Sequence, residues 1–128
     1  MFKNLVITGF LGMFAIVLGA FGAHALKELL TSDQLLSFET AVTYQMYHVL
    51  VLLFVNTFEG FTVKQKNSIS YLFFLGILFF SGSIYVIQLT SITAKSIWFI
   101  TPLGGLFFII GWLSLIMIFV NKIRKHLK

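Results

Sequence analysis

The densest run of side chains able to do chemistry is FETAVTYQMYH, Phe38–His48, which holds a carboxylate, two phenols, an amide and an imidazole within eleven residues. A second imidazole, His24, sits in GAFGAHAL, Gly19–Leu26. Histidine with a carboxylate can relay a proton, two histidines can ligate haem, and histidine with serine can activate a nucleophile. Each chemistry requires its groups to converge, and only the elements carrying them can bring that about.

Hydrophobic residues make up 59% of the 128 residues and charged residues only 10%. Soluble domains hold about 25% charged residues. With so few, the chain cannot cover a surface facing water, and its solvent must be lipid. Four apolar segments stand out, at about 5–25, 38–58, 69–90 and 97–120. Each is long enough at about 1.5 Å per residue to cross a hydrocarbon layer of about 30 Å. None keeps a period of two, which argues against a lipid-facing barrel. The expected fold is all-α, a four-helix integral membrane bundle forming one domain.

The breaks between segments carry their own signals. Thr31 with Gln34 forms a capping-box pattern that starts the second helix ahead of the membrane. Lys64–Ser68 has the composition of a polar turn before the third. Thr101-Pro102 predicts either a kink or a helix start, with 97–100 as an interfacial lead-in. Lys3, an apolar run and Ala23-His24-Ala25 resemble a cleavable secretory signal, but the run exceeds the usual 7–15 residues, so retention is expected.

Four spans put both termini and the middle break on one side. That side holds Lys3, Lys64, Lys66, Lys122, Arg124, Lys125 and Lys128, against Lys27 and Lys95 on the other. The positive-inside rule then places both termini in the cytoplasm, with the protein in the cytoplasmic (inner) membrane. Topology accounts for most of the net charge of +5, which removes the case for nucleic acid. The partners expected are the lipid bilayer and, through close-packing faces, a second copy or another membrane protein.

Thr8, Gly12, Ala15, Gly19 and Gly22 recur at steps of four, three, four and three, making one small-residue face on the first helix. Gly104, Gly111 and Ser114 make a shorter one on the fourth, and Gly76 and Ser81–Ser83 serve the third. On the second helix Ala41, Gln45, His48 and Leu52 share a face, with Tyr44 one turn before His48. Counting depth along antiparallel helices puts His24 level with Glu39 and His48 near mid-membrane. Tyr85 and Thr101 fall further out, and Ser81, Ser83 and Trp112 near the middle. Two pairings are predicted: His24 with Glu39, and His48 with Trp112 or with Ser81 and Ser83.

The same depths weigh against haem, metal and hydrolase chemistry. His24 and His48 differ by about nine residues, or about 13 Å, too far for one haem. Only His24 and Glu39 converge as metal ligands where three or four are needed, and no spacing singles out a hydrolase triad. No cofactor, metal or catalysis is therefore expected. The leading expectation is a non-enzymatic interaction or accessory component of the membrane. The competing one is a small proton-coupled transporter or channel-like oligomer using His48 and Glu39.

GAFGAHAL, FETAVTYQMYH, FSGSIY (Phe80–Tyr85) and TPLGGLFFIIGW (Thr101–Trp112) together resemble the YgdD/YwdK-like family. These are small bacterial inner-membrane proteins classed as a domain of unknown function, with a eukaryotic transmembrane relative. The resemblance implies a four-span protein of about this size and brings no activity, cofactor or catalytic residue. Its motif positions fall here on His24, Glu39, Tyr44, His48, Ser81, Gly82, Ser83, Tyr85, Thr101, Pro102, Gly104, Gly105 and Trp112.

Overall fold

The computed structural model describes residues 2–128. Four long helices run as α1 (Phe2–His24), α2 (Ser32–Thr57), α3 (Val63–Leu89) and α4 (Ile100–His126), all long and apolar enough to cross a membrane. Among the described residues there is no strand. Much of the apolar surface faces outward, including Phe10, Ile16, Leu78, Ile109 and Met117. Large exposed apolar faces are intolerable in water and ordinary where acyl chains are the solvent.

The helix starts reflect local chemistry. At α2 the Thr31 hydroxyl accepts from the Gln34 N–H while the Gln34 side chain accepts from the Thr31 N–H, the reciprocal box read from sequence. Thr62 and Gln65 make the same box at α3. Lys64–Ser68 are therefore not a turn, as the sequence suggested, but the first turns of α3; a capped start lets a polar run be helical. Pro102 is the third residue of α4, which starts at Ile100, so the proline falls in the first turn and not in the helix interior. In the first turn the missing proline N–H has no carbonyl to lose.

Packing places α3 centrally between α2 and α4, while α1 lies chiefly against α2. Leu52, Val55, Phe61, Ile69, Phe73, Ile77, Phe108 and Leu115 form the apolar core. Small residues set the helix distances. A methyl group on Gly22 would lie 2.8 Å from the Phe38 ring, and one on Gly111 would lie 2.6 Å from the Phe73 ring. Gly104 is tighter still: a Cβ there would come within 2.1 Å of the Phe80 backbone nitrogen, so α4 meets α3 backbone to backbone. The meeting point lies in a π-helical turn of α3, Ile77–Ser81. Such a turn holds an extra residue and rotates the helix beyond it, here turning Ser81 onto α2 and Ser83 onto α4.

Candidate functional site

The intramembrane polar groups collect on α2, where Ala41, Gln45, His48 and Leu52 are all buried, as their shared face predicts. Side chains on a helix lean towards its N-terminus. His48 therefore leans back up α2 to Phe108 and Trp112 of α4, and Tyr85 leans back down α3 to Gln45.

His48 is enclosed by rings. Phe108 stacks on it with centroids 3.7 Å apart and planes 7° from parallel, and Phe73 lies at 5.3 Å. Its Nδ1 donates to the Tyr44 carbonyl at 2.6 Å, and its Nε2 accepts from Trp112 Nε1 at 3.2 Å. A carbonyl only accepts and an indole N–H only donates, so these two partners select the neutral Nδ1–H tautomer. The structure thus joins His48 to Trp112 and not to the serines.

One turn outward, Gln45 Nε2 donates to the Leu11 carbonyl of α1 at 2.7 Å, and the Tyr85 hydroxyl donates to Gln45 Oε1 at 2.7 Å. This chain ties three helices together. Ser81 donates to the Ala41 carbonyl at 2.7 Å, and Ser83 shares a hydrogen bond with Thr101. Both serines serve helix contacts further from the termini than His48, nearer that end of the bundle than depth counting placed them. Tyr44 is 42% exposed and Trp112 45%, so both flank the bundle with their rings partly turned to lipid.

The pairing of His24 with Glu39 does not form. Both side chains are exposed and no hydrogen bond joins them. The depths match but the directions do not. Gly22 and Phe38 make the α1–α2 contact, and His24, two residues beyond Gly22, points about 200° around the helix from it. Glu39 instead borders a crevice with Gly19, Gly22 and Thr43 at the end of α2 away from the termini.

A second polar cluster, at the end bearing the termini, was missed in the sequence. Asn4 Nδ2 donates to Asn56 Oδ1 at 3.0 Å and to Asn67 Oδ1 at 2.9 Å. Asn56 Nδ2 donates to the Leu52 carbonyl and to Ser70 Oγ at 2.8 Å. Lys66, buried, donates to the Asn56 carbonyl at 3.1 Å and so caps the C-terminal end of α2. The signals were available. Asn4 lies one step before Thr8 on the small-residue face of α1, and Asn56 one step after Leu52 on the polar face of α2.

Among the described residues no buried side-chain nitrogen or oxygen lacks a partner, and no three His, Asp or Glu side chains gather as metal ligands. At the buried positions Asn4, Gln45, His48, Asn56, Ser81 and Ser83, polar groups are closed by partners on a neighbouring helix. This geometry defines a helical membrane protein whose buried polar residues join helices to one another.

Comparison with known proteins places the chain more narrowly. The family described as "Protein of unknown function (DUF423)" matches residues 18–105. A UPF0382 membrane protein of Staphylococcus saprophyticus is 47% identical over 116 residues, covering 90% of this chain and 95% of the relative. UPF0382 membrane proteins of Staphylococcus aureus and Staphylococcus epidermidis are 47% and 45% identical over 116 residues, each covering 90% of this chain and 93% of the relative. No solved structure matches. The chain belongs to this DUF423 family of membrane proteins.

Proposed function

We propose that the protein is a non-catalytic component of the cytoplasmic membrane with both termini in the cytoplasm, acting as an interaction or accessory element and not as a transporter. The packing of His48 carries this reading. Its ring is stacked on Phe108 and both its nitrogens are engaged by Tyr44 and Trp112, so taking up a proton at Nε2 means breaking the Trp112 bond. A proton-coupling residue has to exchange its proton with water or substrate; a clasp does not. Glu39, the other group a transporter would use, lies apart from His48 at the outer end of α2. The excess of basic residues at the end bearing the termini supports the orientation. Lying chiefly against α2, α1 leaves an apolar face for lipid, a second copy or another membrane protein.

His48→Ala separates the readings. As a clasp, it lowers thermal stability in detergent, and proteoliposomes of wild type and variant show the same background proton permeability. A pH-driven flux in wild-type liposomes that His48→Ala abolishes overturns the proposal.

A further inference from the structure

At the end bearing the termini, the first turn of α3 and the last turns of α4 stand apart and leave a cavity of about 410 Å³. Thr62, Gln65, Asn121, Lys122, Arg124 and Lys125 line it, with Ile118 at its floor. Directly below, a second cavity of about 320 Å³ shares Gln65, Ile118 and Asn121 with the first and continues between Lys64, Ser68 and Ile69 of α3 and Ser114 and Met117 of α4. The two form one cleft, cationic at the end bearing the termini and with a mostly apolar surface further in, where Ile69, Met117 and Ile118 line it beside Lys64 and Ser68. Among the described residues no acidic side chain lines either part. Glu59, the acidic residue nearest in sequence, is exposed on the preceding loop.

We infer that this cleft binds one anionic phospholipid, its phosphate held by Lys122, Arg124 and Lys125 and one acyl chain lying along Ile118 and Met117. A continuous cationic-to-apolar cleft has the polarity profile of that one molecule. Basic pockets between membrane helices recognise anionic headgroups because fixed cations neutralise the phosphate where water is already thinning. The Thr62 and Gln65 side chains are committed to capping each other's backbone, so the cations and not the cap carry the headgroup. Topology alone asks only for basic residues at this end, not for a groove beneath them. Lipid binding in this cleft does not depend on the role of His48.

The test is native mass spectrometry of the full chain in detergent, titrated with phosphatidylglycerol or phosphatidylcholine. Phosphatidylglycerol is expected to be retained preferentially. The double variant Lys122→Gln/Lys125→Gln should bind it about twenty-five-fold more weakly, at about fivefold per basic residue near the membrane surface. Lys27→Gln/Lys95→Gln, which removes the same charge from exposed positions at the opposite end of the bundle, should change binding by less than about twofold, because exposed charges beyond a Debye length are screened. Met117→Trp, which fills the groove without changing charge, should also release the lipid, and inorganic phosphate should not compete. Equal retention of the two lipids, equal loss in both charge variants, or phosphate competition with Met117→Trp still binding each overturns the inference. The last outcome would mark a phosphate site in place of a lipid site.

Discussion

Gly104 is where the bundle is least able to accept an added atom. A Cβ at this position would sit 2.1 Å from the Phe80 nitrogen and 2.7 Å from both the Phe79 carbonyl carbon and the Phe80 Cα. Real Cβ contacts rarely fall below 3.4 Å, so Gly104→Ala forces α4 and α3 about 1.3 Å apart along that line. The obstructing atoms are backbone, so no rotamer change relieves the clash. Opening the contact loosens two neighbours that depend on it, the Ser83–Thr101 hydrogen bond and the seat of Phe108 on Gly76. Overpacking costs about 1–3 kcal/mol where side chains can adjust, and the cost here should reach or exceed the top of that range, about 3 kcal/mol. Gly9→Ala is the matched control, because a Cβ there meets nothing within 4 Å. Its effect should be neutral or slightly stabilising, by up to about 0.5–1 kcal/mol from helix propensity. Reversible denaturation in mixed micelles, monitored by helicity and by tryptophan fluorescence, measures both. Equal stability of the two alanine variants would refute the backbone contact between α3 and α4, and with it the role given to the π-helical turn.

Asn56→Ala should destabilise the protein by about 1–3 kcal/mol, since Asn4 and Ser70 lose a buried partner. The double variant Asn56→Ala/Ser70→Ala should cost less than the sum of the singles, because one lost bond is counted in both. Tyr85→Phe keeps the ring against Phe38 but removes the donor to Gln45. It should lower stability by about 0.6 kcal/mol and by no more than about 1.7 kcal/mol, the range for single hydrogen bonds between membrane helices. Both are read by the same denaturation experiment.

The parts of the architecture legible in the sequence are those set by single segments. Apolar length fixed the number of helices, and Thr31 with Gln34 announced the start of α2 because capping is a four-residue interaction. The same chemistry at Thr62 and Gln65 is masked because Lys64–Ser68 has the composition of a solvated loop. Periodicity located the faces of α1 and α2 correctly but was not carried to their ends, where Asn4 and Asn56 meet. Depth counting brought His48 to Trp112, and it failed for His24 and Glu39 because matching height says nothing about direction around a helix. The π-helical turn has no signal in composition. It shifts the rotation of Ser81 and Ser83 relative to everything before them, and only the tertiary contacts report it.

The proposed function rests on His48 being a dry clasp and not part of a proton path. Water-edited nitrogen-15 NMR of histidine-labelled protein in lipid nanodiscs tests this directly, because His24 and His126 are exposed near the two ends of the bundle and serve as wet internal standards. Magnetisation from water should reach those two rings quickly, and the His48 ring slowly or not at all, with its Nδ1 protonated and its Nε2 bare. Transfer to His48 as fast as to His24 and His126 would place water at the ring and contradict the clasp.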